Sequence, residues 1–210
     1  MTASEAPPVA PPVVGLLLAG GLARRMGGGD KCLKVLAGRT LLGHAIRRLS
    51  PQVRRLVLNA NGDPGRFEHF SLPVAGDSVE GFAGPLAGVL AGLDWAALSA
   101  PDLPYVLSVP TDAPFLPRDL AARLWAPIAA GEAELSVAAS AGQAHPVVAL
   151  WPVRLREELR RALTQEGIRK VDAWTSRYRL ARVEFPVEGI DPFFNVNTPE
   201  DLARAERLLG

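Results

Sequence analysis

Four short apolar runs, Val13 to Leu18, Val53 to Asn59, Leu72 to Ala75 and Tyr105 to Val109, alternate with helical patterns through the first 130 residues. Runs this short and this apolar are buried on both faces. Alternation with helices therefore implies a mostly parallel, twisted sheet with helices on each side, an α/β Rossmann-like three-layer domain. In such sheets the functional groups collect where the strands end. Gly20, Asn59, Asp77 and Asp112 all fall just at or past the ends of these runs.

The helical patterns carry their own punctuation. Thr40 can cap a helix through Leu41, Leu42, Ala45, Ile46 and Leu49, which Pro51 ends. Pro85 suits the first position of a helix over Leu86 to Leu98, and a further helix is expected from Asp119 to Ala130. Beyond that the pattern loosens. Strands are expected at Leu135 to Ala139 and Val147 to Trp151, joined through Gly142 to Pro146, and at Leu180 to Phe185. Helices are expected at Val153 to Leu163 and Ile168 to Ser176. The final helix is announced by Thr198 as cap, Pro199 at the first position and Glu200 and Asp201 in the electropositive first turn.

The first run delivers Leu18-Ala19-Gly20-Gly21-Leu22-Ala23-Arg24-Arg25-Met26-Gly27-Gly28-Gly29-Asp30-Lys31. Glycines let backbone N–H groups turn around an anion, and Arg and Lys supply charge for a polyphosphate. Neither familiar phosphate motif fits. Asp30 separates Gly29 from Lys31 and Cys32 stands where a P-loop needs a hydroxyl, while Leu22 breaks any Gly-x-Gly-x-x-Gly pattern. The loop still reads as a nucleoside triphosphate cradle.

Composition bounds the rest. A 210-residue chain that is 48% hydrophobic buries about 70% of its unfolded surface as one domain. A net charge of +1 leaves no footprint for nucleic acid, and one cysteine excludes an internal disulfide. Lys31 and Lys34 flank Cys32 and could lower its pKa, but no base lies near it in sequence, so packing is its expected role. The four tryptophans read as core residues. Residues 1–12, with Pro7-Pro8 and Pro11-Pro12, read as a disordered tail without a basic start or a long apolar run. A cytoplasmic chain with no membrane partner is expected.

Several segments now align in order: the opening loop to Lys31, Asn59-Ala60-Asn61, Asp77, Gly84-Pro85-Leu86-Ala87-Gly88, Thr111-Asp112-Ala113-Pro114, His145-Pro146, and Asn195-Val196-Asn197-Thr198-Pro199-Glu200-Asp201-Leu202. Together they resemble the molybdenum cofactor guanylyltransferases, a nucleotidyltransferase family. The resemblance spans nearly everything outside the tail. It implies transfer of GMP from GTP to molybdopterin, with Mg²⁺ as the ion. It also implies a single domain over 13–210, with a nucleotide-binding half (13–130) and an acceptor half (131–210). Further partners would be molybdenum-insertion proteins and molybdoenzyme apoproteins or their chaperones.

By the same resemblance, Leu18, Ala19, Gly20 and Gly21 contact GTP, and Arg25 and Lys31 offset charge during transfer. Asp112 holds the metal, and Asn59 and Asp77 bind the nucleotide. Which of these two reads the base stays open, and one of Asn59 and Asn61 is expected to be a simple turn former. Asp112 could instead cap a following helix. The acceptor side would draw on His145, Arg169, Lys170, Asn195 and Asn197, although Arg169 and Lys170 could equally form a solvated helix face. A cytidylyltransferase, a sugar-1-phosphate nucleotidyltransferase and a non-catalytic GTP-binding delivery protein remain as alternatives.

Overall fold

The computed structural model describes residues 10–20, 29–79, 81 and 84–209. Nine strands and six α-helices follow in order. They are β1 (Val13–Leu18), β2 (Val35–Leu36), β3 (Arg39–Thr40), α1 (Leu41–Leu49), β4 (Arg55–Asn59), β5 (Val74–Ala75), α2 (Pro85–Ser99), β6 (Tyr105–Pro110) and α3 (Leu120–Ala129). Then come β7 (Leu135–Ser140), β8 (Gln143–Pro152), α4 (Arg156–Thr164), α5 (Val171–Thr175), β9 (Leu180–Phe185) and α6 (Pro199–Leu209).

Seven strands form one sheet in the order β5-β4-β1-β6-β8-β7-β9. β5, β4, β1 and β6 run parallel, β8 runs against β6 and β7, and β9 is parallel to β7. The expected mostly parallel α/β sheet is therefore present. Six strands end on one edge of the sheet, and β8, running the other way, begins there.

Side chains on successive positions of β1 divide the core. Val13 and Leu17 face a cluster with Leu42, Ala45 and Leu49 of α1 and Leu120 and Leu124 of α3. Val14 and Leu16 face a second cluster with α2, Leu159 of α4 and Trp174 of α5. α2 is apolar almost all round and buries nine residues, as a helix wedged between a sheet and other helices must. It approaches closely because Gly92 leaves room: a Cβ there would stand 2.4 Å from Leu16 Cδ2. Asp94 on α2 takes a two-pronged hydrogen bond from Arg160 Nη2 on α4, at 2.7 and 2.8 Å, tying the two helices. Trp151 and Trp174 are fully buried, and Trp151 Nε1 donates to Ser108 Oγ at 2.7 Å, which keeps its polar edge satisfied inside the sheet.

Most expected elements are found, with two instructive differences. β7 and β8 meet at a two-residue turn, Ala141-Gly142, both at positive φ, instead of a five-residue connector. Pro146 hid this strand, because proline cannot donate to a ladder. It sits where the register slips, Val137 pairing with Ala149 but Ala138 with His145, so no ladder bond is lost. Only Val171–Thr175 of the expected 168–176 helix is helical. Of the tail, residues 10–12 run beside the sheet: Ala10 O accepts from Arg54 Nε and Pro11 O from Val13 N. The rest of the tail lies outside the described residues. No helix among them is long and apolar enough to cross a membrane.

Candidate active site

The edge where β1, β4 and β6 end is stitched by backbone. Ala19 N donates to Asn59 O at 2.9 Å, and Thr111 donates to Leu18 O through both its amide and its hydroxyl. These bonds hold Leu18, Ala19 and Gly20 between the ends of the two neighbouring strands. Gly21 and Arg25 lie outside the described residues. The loop resumes at Gly29, and Asp30 pairs with Arg66 at 3.3 Å. The short turn Lys31–Leu33 follows, pinned by the buried Cys32.

Lys31 is where distant segments meet. Its Nζ donates to Asp112 Oδ2 at 2.5 Å and to Asn197 Oδ1. The three are 81 and 166 residues apart in sequence. A backbone bond from Val196 N to Asp112 O, 2.9 Å, closes the same junction. Val196 turns inward onto Leu36, Leu41, Phe115 and Ala205, which leaves Asn195 and Asn197 exposed on either side of it. Asp201 Oδ2 accepts from Asn197 N and Thr198 N, each at 2.9 Å, and Asp201 N donates to Thr198 Oγ1. Burial pulls the Asp201 carboxyl up, but these hydrogen bonds and Lys31 outweigh it and hold it below the ordinary aspartate range. Asp112 is not a helix cap, since α3 starts only at Leu120.

A second group sits at the ends of β4 and β5. Asn59 Nδ2 donates to Asp77 Oδ1 at 2.9 Å and Asn61 Nδ2 to Asp77 Oδ2 at 2.8 Å. Asn61 Oδ1 in turn accepts from Asp77 N. Asn59 owes its place to Gly88 on α2, where a Cβ would stand 2.4 Å from Asn59 Oδ1. Asn61 is thus no simple turn former. It clamps Asp77 from the side opposite Asn59, and the Asn-x-Asn spacing at a strand end was the signal for it.

A metal ion can be tested against Asp112 Oδ1, which is buried and has no hydrogen-bond partner among the described residues. An orphan carboxylate oxygen beside an amide oxygen offers hard donors. No group of three His, Cys, Asp or Glu side chains that could hold an ion occurs among the described residues. That donor set fits a divalent ion completed by substrate oxygens and water, as Mg²⁺ prefers.

A family model for the MobA-like NTP transferase domain matches residues 15–181. The chain belongs to the MobA-like NTP transferase family. A molybdenum cofactor guanylyltransferase from Bradyrhizobium sp. (strain ORS 278) is 63% identical, over 93% of this chain and 92% of the relative. One from Rhodopseudomonas palustris (strain BisB5) is 60% identical, over 96% and 94%. Among solved structures, molybdopterin-guanine dinucleotide biosynthesis protein A from Archaeoglobus fulgidus superposes with a TM-score of 0.71 at 25% identity, covering 93% of this chain and 98% of that one. A Mycobacterium tuberculosis protein in complex with manganese shares the fold, with a TM-score of 0.65 at 18% identity over 93% of this chain and 98% of that one.

Within this MobA-like chain, the expected acceptor residues divide. His145 Nε2 lies 2.7 Å from Ser140 Oγ, which donates to Asp191 at 2.9 and 3.0 Å from its two oxygens. A hydroxyl has one proton; with that proton on Asp191, the imidazole must donate through Nε2. Burial holds the His145 pKa below its ordinary value, against the opposing pull of Asp191 and Glu184. Ser140 and Asp191 belong to no motif and sequence reasoning missed them. Arg169 and Lys170 stand exposed ahead of α5, not on a helix face. The described contacts of Lys31 and Asp112 do not include Lys170 or the Asn195 side chain. Cys32 packs as expected: burial, then Asp30, pushes its thiol up to about 11, and the flanking lysines do not lower it, so it behaves as a small apolar residue.

Proposed function

We propose that this chain transfers GMP from GTP to the terminal phosphate of molybdopterin and releases pyrophosphate. The observation that carries the reading is the junction of Lys31, Asp112 and Asn197, drawn from three distant segments to one end of a parallel sheet. Family membership and the names of relatives at 60% identity and above point the same way. An oxygen of the acceptor phosphate attacks the α-phosphorus of GTP as the bond to pyrophosphate breaks. Such transfer depends on positioning and charge more than on a protein base.

In this reading Leu18, Ala19, Gly20 and Gly21 cradle the triphosphate, and Arg25 adds charge. Lys31 exchanges its Asp112 contact for phosphate oxygens and stabilises the charge that develops on them. Asp112 Oδ1 and Asn197 would hold Mg²⁺, which supplies positive charge against the triphosphate when bound. Asp77, steadied by both asparagines, keeps unused lone pairs that can accept from guanine N1–H and N2–H₂. Residues 13–130 serve the nucleotide and 131–210 the acceptor. His145, Arg169, Lys170, Asn195 and Asn197 face molybdopterin. The setting is the cytoplasm, with molybdenum-insertion proteins and molybdoenzyme apoproteins or their chaperones as partners.

The test is pyrophosphate release with molybdopterin and either GTP or CTP, in Mg²⁺ and in chelator. Release with GTP and Mg²⁺ is expected. Preference for CTP defeats the base assignment, and turnover with sugar 1-phosphates but not with molybdopterin defeats the acceptor.

A further inference from the structure

On the far side of α1 from β1, a cavity of about 620 Å³ is lined by Arg47, Arg48, Gln52, Pro114, Arg118 and Leu209, among others. Its size is that of a small-ligand site. Its charged side chains are three arginines, and His44 also lines it. The three in this cavity have no acidic partner among the described residues. They also repel one another. Burial first, then the charges of Arg118 and Arg47, hold the Arg48 guanidinium below its ordinary pKa.

The wall is braced by hydrogen bonds within the fold. The buried Gln52 donates to Arg48 O and Pro117 O at 2.8 Å each, and its Oε1 accepts from Ala121 N at 3.0 Å. One side chain thereby fixes α1, the loop carrying Arg118 and the start of α3. Pro51, Pro114 and Leu209 add an apolar flank. Like charges held together on a rigid frame are stabilised by an anion, and guanidinium forks suit phosphate in particular.

We propose that this cavity is a second anion site, taking a small organic molecule that bears at least two phosphate charges. Two lining residues connect it to the junction at Lys31. Pro114 lies two residues past Asp112, and Leu209 ends the helix whose first turn holds Asn197 through Asp201. Occupancy therefore bears on both arms that grip Lys31.

Inorganic tripolyphosphate, titrated calorimetrically into the whole chain without divalent metal, is the probe. The Lys31→Ala variant removes the expected active-site contribution and should still bind. Adding Arg47→Ala and Arg118→Ala to it should weaken that binding by about tenfold or more, since charge-assisted bonds are lost. The arginine pair alone, with Lys31 intact and no tripolyphosphate, should keep its unfolding temperature and its GTP turnover, which excludes misfolding. Equal binding with and without the arginine pair overturns the proposal, as does no binding to Lys31→Ala. Tighter binding of a hexaglutamate peptide than of tripolyphosphate also overturns it, and assigns the cavity to an acidic protein segment instead.

Discussion

Lys31 is held by two oxygen acceptors, Asp112 Oδ2 and Asn197 Oδ1. These anchors keep the ammonium at the strand ends, where it can exchange Asp112 for phosphate oxygens and stabilise the charge that develops on them. Lys31→Ala should lower turnover by about 10²–10³, comparable to losing one preorganised donor, as read by pyrophosphate release. Near-normal release would remove Lys31 from the chemistry. Asn61→Ala acts differently, because it frees one oxygen and the amide of Asp77 without touching Lys31. GTP KM should rise roughly tenfold with kcat kept, since one or two net hydrogen bonds are lost. A fall in kcat alone would mean that Asp77 does not face the base. The meeting of Lys31 with Asp112 was legible because one closes the glycine-rich loop after β1 and the other follows β6, and Asn59 was legible as the end of β4. Asn61 was half legible, and Ser140 and Asp191 were not, since a lone serine and a lone aspartate 51 residues apart carry no spacing signal.

Among the elements, α2 shows how one helix serves both core and site. Gly88 and Gly92 lie one turn apart on its sheet-facing side, yet their neighbours differ: Asn59 and Leu18 for Gly88, Leu16 for Gly92. An alanine in place of either gains about 1 kcal/mol of helix propensity and meets about 1–3 kcal/mol of overpacking, so the clash prevails. Gly92→Ala should therefore lower the unfolding temperature and leave GTP KM unchanged. Gly88→Ala should raise GTP KM because it pushes Asn59 off Asp77. Thermal melts and steady-state kinetics on the pair separate the two roles, and identical behaviour would refute them. The helix itself was plain from Pro85 and its apolar run. The β7–β8 hairpin was not, because Pro146 masks a strand that tolerates it only at a register slip.

Across the whole molecule, stability should respond to acid through His145. Its folded pKa lies below the ordinary 6.5, so the unfolded chain binds the extra proton first. Stability from this group is complete above about 6.5 and is lost as pH falls toward the depressed folded value. Replacing it, His145→Gln, should flatten that part of the stability profile measured by denaturant unfolding at several pH values. An unchanged slope would show that other groups govern it. The parallel run of β5, β4, β1 and β6 and the gathering of their ends on one edge followed from alternation of strand and helix, whereas the order of the seven strands came only with the structure. The reversal of β8 did not, since direction is set by the turn at Ala141-Gly142 and not by any apolar period.

Lys31 is synthesised 166 residues before Asn197, with which it makes a hydrogen bond. At about 5–20 residues per second, the interval is roughly 8–30 s. Throughout translation the lysine can reach neither of its distant partners until each has been made. The junction of Lys31, Asp112 and Asn197 therefore closes only once Asn197 has been made, well after the glycine-rich loop.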